Sequence, residues 1–148
     1  MERRRDTRFF SDGVKSNHWL TISADTIHNQ NYPYTESLGF VSIFKEEGTY
    51  SLVETQHEWD ETGSSYYESD GDVSIAGYHP DGDTSTNWLK ITRYDSITGM
   101  MEGSFRTTVV VDSADRAPEP GQPPRRRPDT LRFTDGEFRV EVEDRRDQ

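Results

Sequence analysis

Apolar and polar residues alternate along the chain in short runs, so that every second side chain falls on the same face of an extended backbone. The clearest run spans residues 136–143, where Phe138, Val140 and Val142 share one face and charged side chains share the other. This period of two is typical of an antiparallel strand that buries one face. No window of a dozen residues keeps helical spacing without interruption by Gly, Pro or β-branched residues, so the pattern predicts an all-β protein.

The same alternation predicts eight strands of a single domain. They cover residues 19–23, 38–44, 49–54, 72–78, 87–94, 103–111, 129–134 and 136–143. Their spacing is typical of an antiparallel β-sandwich or a flattened barrel with long polar loops.

Three short connections between these segments carry residues typical of hairpin turns. Asp135-Gly136 supplies the positive φ angles of a two-residue type I′ turn, which predicts that the two flanking segments form a hairpin. The KEEG sequence at 45–48 and the DSITG sequence at 95–99 predict hairpins of their own flanking segments.

Polar stretches separate the predicted strands. Residues 57–71 and 79–87 are polar and contain glycine, which predicts loops. Residues 113–128 contain five of the seven prolines and almost no apolar residue, which predicts a mobile hairpin loop between two paired strands. The Arg125–Arg127 run lies in this loop and is interpreted as solvated charge.

The two ends of the chain lie outside the alternating pattern. We expect a loosely ordered N-terminal arm at residues 1–16 and a charged tail at 144–148, which leaves one antiparallel domain at 17–143.

Several motifs in the second half of the chain follow one another in a recognisable order. They are Tyr94-Asp95 and Gly99 at a turn, the Gly103–Phe105 strand and the final segment Thr134–Val140, and the upstream GTYSL sequence at 48–52 fits the same pattern. In this order they resemble a family of uncharacterised β-rich proteins of Bacteroidota, many of which are exported lipoproteins. The likeness covers residues 19–143.

The resemblance implies an exported, envelope-associated β domain, periplasmic or anchored at the outer membrane, with no catalytic residues to transfer. Members of the family usually carry a lipoprotein signal and an additional early strand ahead of the segment that corresponds to 19–23. We expect both to be missing here, as they would be from a trimmed chain or one with a misplaced start codon. A cytoplasmic location therefore stays open.

Composition limits the classes of function. Only 27 of the 148 residues are Leu, Ile, Val or Phe, which with a net charge of −11 is typical of disordered chains, but ten Tyr and Trp residues and the clustered pattern favour a small folded domain. The excess of acids disfavours binding to nucleic acid or to anionic membranes. No apolar run approaches the roughly 18 residues of a membrane span. Without cysteine there is no disulfide, thiolate nucleophile or cysteine metal site.

Aromatic residues in polar stretches are the candidate ligand-binding residues. Tyr32, Tyr34, Trp59, Tyr66 and Tyr67 are predicted in loops or at the ends of strands, where exposed rings stack on sugars or anchor peptides. The alternative is that these rings close the ends of a core that is poor in aliphatic residues.

Closely spaced aspartates are the candidate metal ligands. Asp70 and Asp72, and Asp81 and Asp83, form two Asp-Gly-Asp sequences whose hard oxygens suit calcium. Neither has the twelve-residue loop with a distal glutamate, and Asp-Gly-Asp is also typical of a tight turn. No other cofactor is expected.

The histidines do not point to a zinc site. His18, His28, His57 and His79 form no helical pair, and we expect them at the edges of loops.

The leading hypothesis is a non-catalytic, envelope-associated β domain that acts through an interaction surface on a protein or glycan partner. One alternative is a carbohydrate-binding or calcium-dependent ligand-binding module that uses the aromatic and Asp-rich loops. A second is a hydrolase built on loop carboxylates, although no G-x-S-x-G motif is present and carboxylates are too abundant to identify a pair.

Overall fold

A computed structural model describes the chain over residues 4–10, 19–29, 32–44, 46–54 and 61–142, and it is all-β as the alternating pattern predicts. Nine strands account for most of these residues. They are β1 (Arg4–Phe10), β2 (Trp19–Asn29), β3 (Tyr32–Phe44), β4 (Gly48–Ser51), β5 (Gly63–Asp70), β6 (Val73–Pro80), β7 (Trp88–Tyr94), β8 (Met100–Val111) and β9 (Thr130–Glu141).

These strands form one antiparallel sheet in the order β1-β2-β3-β5-β6-β8-β7-β4, and β9 pairs with the other edge of β8. The sheet is not closed into a barrel. A 3₁₀ turn at Ser113–Asp115 is the only helical element in the described part of the chain, where no helix is long and apolar enough to cross a membrane.

The sheet curls until strands that are not neighbours touch across its concave face. The ring centroids of Phe40 on β3 and Phe105 on β8 are 4.9 Å apart, and those of Tyr66 on β5 and Phe133 on β9 are 5.9 Å apart. One interior results, because side chains from both halves of the chain meet there. The buried apolar residues are Ile22, Tyr34, Leu38, Phe40, Leu52, Tyr66, Ile75, Ala76, Tyr78, Leu89, Ile91, Met101, Val109, Val111 and Val140.

The predicted hairpin at Asp135-Gly136 is wrong. The two predicted segments form the single strand β9, which pairs with β8 throughout. Between the pairs Phe105–Gly136 and Thr107–Phe133 the register shifts, and Asp135 there has a positive φ of 53°. The extra residue is a β-bulge, so apolar side chains face inward at odd positions before it and at even positions after it.

The hairpin predicted around 45–48 is also wrong. Strand β3 is paired with β2 on one edge and with β5 on the other, so neither edge is left for β4. Strand β4 pairs instead with β7. By contrast, the hairpin predicted around 95–99 is confirmed, because β7 and β8 are paired neighbours joined by a turn that ends at Gly99 with φ of 77°.

Two strands lie where the sequence pattern predicts none. Residues 4–10, in the stretch expected to be a loose arm without an early strand, form β1 and pair with β2. Residues 63–70, in the predicted loop 57–71, form β5 between β3 and β6.

The long connection between β8 and β9 agrees with the loop predicted at 113–128. Strand β8 ends at Val111 and β9 begins at Thr130. The connecting residues 112–129, called the arginine loop below, contain Arg125–Arg127 and fold back over one end of the curled sheet.

Candidate functional site

Two acidic side chains lie next to each other in the interior. Glu36 on β3 and Glu68 on β5 are directly paired in register, and both are buried, with exposed fractions of 8% and 0%. They face inward because they continue the alternation of Leu38 on β3 and of Tyr66 on β5. Like charges directly opposite each other on neighbouring strands are unfavourable, so the surrounding groups must compensate.

Two tyrosine hydroxyls form part of that compensation. Tyr34 Oη donates to Glu68 Oε1 at 2.5 Å, and Tyr66 Oη donates to Glu36 Oε1 at 2.5 Å. Burial, followed by the hydrogen bond to Glu68, raises the pKa of Tyr34, and burial with the hydrogen bond to Glu36 raises that of Tyr66. We call Tyr34, Glu36, Tyr66 and Glu68 the Tyr–Glu cluster.

The arginine loop covers this cluster. The Arg127 guanidinium contacts Glu36 twice, from Nε to Oε1 and from Nη2 to Oε2 at 2.9 Å, in a bidentate arrangement. The Arg126 guanidinium lies over the ring of Tyr34, 3.9 Å from its centroid, in cation–π geometry. The interpretation of Arg125–Arg127 as merely solvated charge is therefore wrong.

The rest of the loop is fixed by hydrogen bonds between its own residues and with Tyr78. Arg125 Nη2 donates to Asp129 Oδ1 at 2.6 Å and to the carbonyl of Arg116 at 3.0 Å. Tyr78 Oη donates to the carbonyl of Pro128 at 3.0 Å. The arginines thereby cover the end of the curled sheet at a defined position.

Glu68 is less well compensated than Glu36. Its Oε1 accepts from Tyr34 and from the backbone N–H of Arg126 at 3.0 Å. Its Oε2 is fully buried as well, and among the described residues it has no hydrogen-bond partner. An unsatisfied carboxylate oxygen in the interior is unfavourable by an amount comparable to a lost hydrogen bond.

A second group of side chains lies on the outer face of β5 and β6. Tyr67 is paired with Gly77, and a Cβ at Gly77 would lie 3.2 Å from Cε1 of the Tyr67 ring and 2.7 Å from Asp112 Oδ2. Asp112 Oδ1 is 2.5 Å from His79 Nδ1. Tyr67 is half exposed, so ring, carboxylate and imidazole present a surface to solvent. We call Tyr67, Gly77, His79 and Asp112 the Tyr67 surface.

The candidate ligand-binding tyrosines lie at different depths. Tyr34 and Tyr66 are buried within β3 and β5, so their predicted position in loops or at the ends of strands is wrong. Tyr67 also lies within β5 but is exposed. Tyr32 is the first residue of β3, and Trp59 lies outside the described residues. Whether any of them binds a ligand stays a prediction.

The candidate calcium ligands are used in turns. Asp83 Oδ1 accepts from the N–H and hydroxyl of Ser85, and Asp81 Oδ1 accepts from the N–H of Asp83 and from Asn87 Nδ2. Asp70 ends β5, and Asp72 is exposed in the tight turn to β6. Over the described residues no group of three or more His, Cys, Asp or Glu side chains could hold a metal ion. Calcium binding stays a prediction.

Of the four histidines, His79 lies in β6 and belongs to the Tyr67 surface, and the backbone of His28 lies in β2. His18 and His57 fall outside the described residues.

The Tyr–Glu cluster could have been detected from one signal in the sequence. Extending the inward alternation of Leu38 and Phe40 towards the N-terminus assigns Glu36 and Tyr34 to the same face. No comparable signal marks Arg126 and Arg127, because a loop has no period from which the direction of a side chain could be read.

Comparison of the chain with protein-family models, with curated proteins and with solved structures finds no match. The resemblance to exported β-rich proteins stays a prediction, and a function must be inferred from the geometry of the chain itself.

Proposed function

We propose that this chain is a non-catalytic β domain that binds a partner through the Tyr67 surface. One observation carries the proposal: the half-exposed Tyr67 ring lies against Gly77, beside the paired Asp112 and His79. A ring that is held flat on a sheet and flanked by polar groups combines apolar contact area with directional hydrogen bonding.

A glycan is the partner that this combination favours over a protein. The face of the tyrosine ring can stack on the apolar face of a sugar, and the Asp112 carboxylate can accept hydrogen bonds from sugar hydroxyls. The N–H of Gly77 donates to Asp115 Oδ2 at 3.0 Å and its carbonyl accepts from Asp112 N–H at 2.9 Å, so the acidic side of the surface is anchored to β6.

The experiment is glycan-array binding of the intact chain and of matched variants. We expect Tyr67→Ala to abolish binding and Tyr67→Phe to keep most of it, because Phe preserves the stacking face. Ile97→Ala is the control, since Ile97 is 94% exposed in the turn between β7 and β8, away from the Tyr67 surface. Binding that is unchanged in Tyr67→Ala, or no binding to any glycan, would reject this surface.

The hydrolase alternative draws on the same His79 and Asp112 pair, because a carboxylate that orients an imidazole is a common part of hydrolytic sites. A screen with esterase and glycosidase substrates separates the two functions. Turnover that disappears in His79→Ala would replace the binding proposal by a catalytic one.

The envelope setting of the proposal is supported by the sequence resemblance alone. Reading the genomic sequence upstream of Met1 tests it, because an in-frame signal with a lipobox cysteine is expected for an exported lipoprotein.

A further inference from the structure

The Tyr–Glu cluster buries two carboxylates and pairs only one of them with a side-chain cation. Glu36 has the bidentate contact with Arg127, whereas Glu68 has hydrogen bonds from Tyr34 and from the backbone of Arg126 and from no guanidinium or ammonium group of the described chain. Glu68 Oε2 lies in the same cluster, buried and without a hydrogen-bond partner in the part of the chain that the structure describes. Both oxygens of a buried carboxylate are normally bonded to a cation or to a hydrogen-bond donor. Glu68 Oε2 can therefore still accept a hydrogen bond from one more cationic group.

In the described part of the chain, the guanidinium groups seen over the cluster come from a loop. Arg126 and Arg127 belong to the arginine loop, and the Arg127 side chain is 42% exposed while that of Glu36 is 10% exposed. The Glu36–Arg127 contact therefore lies at the boundary between the interior and solvent. Because a loop can move without breaking a strand pairing, the guanidinium can leave Glu36 while the sheet stays intact.

We propose that Glu36 and Glu68 form a binding site for an organic cation that carries a guanidinium or primary ammonium group, and that Arg127 occupies part of this site until the ligand displaces it.

The chemistry of the site selects this class of ligand. Glu36 already binds a guanidinium with two parallel contacts, so the space that Arg127 leaves matches a planar guanidinium. The ring of Tyr34 already carries one guanidinium on its face, which is the second way in which such cations are recognised. Glu68 Oε2 is an acceptor that Arg127 does not use. A ligand that binds it makes one hydrogen bond more than Arg127 does.

The carboxylates of this site and the ring of Tyr67 lie on opposite faces of the sheet. Tyr67 and Glu68 are consecutive in β5 and their side chains point to opposite faces of the sheet, one half exposed and one fully buried. Tyr67→Ala should therefore leave cation binding unchanged, so that either proposal can fail without the other.

The test is isothermal titration calorimetry of the intact chain with two probes at matched ionic strength. Methylguanidinium chloride represents a free cation, and the capped peptide Pro-Arg-Arg-Arg-Pro, which copies residues 124–128, represents an arginine side chain within a polypeptide. Sodium chloride and calcium chloride are the controls. Heat with methylguanidinium alone identifies a small-molecule site, and tighter binding of the peptide identifies a polypeptide partner.

Variants assign the binding to the cluster. We expect Arg127→Ala to bind methylguanidinium at least about tenfold more tightly, because the internal competitor is gone. We expect Glu68→Gln to bind at least about tenfold more weakly, because a charged acceptor is lost. Arg127→Lys keeps a cation beside Glu36 but loses the bidentate contact, so it should also bind methylguanidinium more tightly than the native chain does. This variant tests the displacement if Arg127→Ala fails to fold by circular dichroism, and unchanged binding in folded Arg127→Lys and Arg127→Ala would contradict it.

Three results would overturn the proposal. The first is no heat with either probe in the folded native chain. The second is binding confined to Arg127→Ala, which would show only a cavity made by truncation. The third is binding of calcium without binding of methylguanidinium, which would make the cluster a metal site.

Discussion

Glu36 and Glu68 lie directly opposite each other on neighbouring strands, and both carboxylates point into the interior of the curled sheet. The pairing brings two groups of the same charge together where water cannot screen them. Two tyrosine hydroxyls donate hydrogen bonds to these carboxylates, and Arg127 of the arginine loop supplies a positive charge beside Glu36. Both contributions offset the repulsion. The stability of the fold therefore depends on a loop that the sheet itself does not require.

Removing Arg127 should destabilise the protein. In Arg127→Ala the buried carboxylate of Glu36 loses its bidentate contact with the guanidinium, and we expect the free energy of unfolding to fall by about 2 kcal/mol. This is less than for a fully buried pair, because Arg127 is partly exposed. Urea denaturation measures the change. Arg139→Ala, which removes an exposed ion pair with Glu102, is the control and should change stability by about 0–1 kcal/mol. Equal effects of the two variants would contradict a special role for the loop contact.

The stability should fall in alkaline solution because of Tyr34 and Tyr66. Their pKa values are raised in the folded state, so below about pH 10 both states keep the phenolic protons and the contribution is fully present. As the pH rises further, the tyrosines ionise in the unfolded chain but not in the folded one, and folding is progressively disfavoured.

The measurement is the urea midpoint between pH 8 and 11, on the native chain and on the double variant Tyr34→Phe, Tyr66→Phe. Above about pH 10 the urea midpoint should fall less steeply in the double variant, because it lacks the two phenols whose pKa values are raised by folding. A decline of the same steepness in both proteins would show that other groups cause it.

Asn87 should be one of the most sensitive polar positions. It is fully buried and uses its whole amide: Nδ2 donates to Asp81 Oδ1 and to the carbonyl of Asp83, and Oδ1 accepts from Thr107 Oγ1 and Thr108 N–H. Asn87→Ala leaves the buried N–H of Thr108 without this acceptor and removes a hydrogen bond from the buried hydroxyl of Thr107, and we expect a loss of about 3 kcal/mol in the free energy of unfolding.

Thermal unfolding followed by circular dichroism measures the effect of Asn87→Ala. Ser85→Ala is the matched control from the same turn, because Ser85 is exposed and should change stability by no more than about 0.5 kcal/mol. A small effect at Asn87 would mean that water replaces the amide.

Gly103 should not tolerate a methyl group. It is paired with Phe138, and a Cβ there would lie 2.1 Å from the Lys90 carbonyl and 2.4 Å from the Phe138 ring. Because backbone cannot move as easily as a side chain, Gly103→Ala should destabilise the sheet by about 3 kcal/mol. Gly39→Ala, with its nearest atom at 3.4 Å, is the control and should stay within about 1 kcal/mol in urea denaturation. Equal losses of stability in Gly103→Ala and Gly39→Ala would show that the close contacts at Gly103 are not the cause.

The sequence predicts strands well where the inward positions are apolar. The alternation of Leu89 with Ile91 and of Val109 with Val111 predicts β7 and β8 as strands, and the short turn that ends at Gly99 predicts that they pair. Strand β5 was missed because its inward positions are Ser64, Tyr66 and Glu68, which give no apolar alternation. The sequence pattern predicts a loop where a strand buries polar groups. Half of the Tyr–Glu cluster, Tyr66 and Glu68, lies on such a strand.

The error at Asp135-Gly136 has a physical reason. A change of inward parity between Phe133 and Phe138 is expected both from a two-residue turn and from a bulge, and both favour positive φ at the same residue. The difference depends on the length of the partner strand. Because β8 runs for 12 residues, it can pair with both segments, and sequence alone gives no sign of this.

The contacts of the arginine loop were beyond sequence analysis. Arg127 and Glu36 are 91 positions apart, and nothing local to either residue identifies the other. Such a pairing is determined only once the sheet has curled and brought the loop over the buried acids.

The bulge in β9 also affects how neighbouring molecules meet. In the described part of the chain β9 is paired only with β8, and β1 comes close to β9 without being paired with it. Backbone donors and acceptors on such an edge could recruit a strand from another copy. The extra residue at Asp135 bends that edge, and Arg132, Glu137 and Arg139 surround it with exposed charge. A bend and a row of charges of this kind discourage strand addition from one copy to the next.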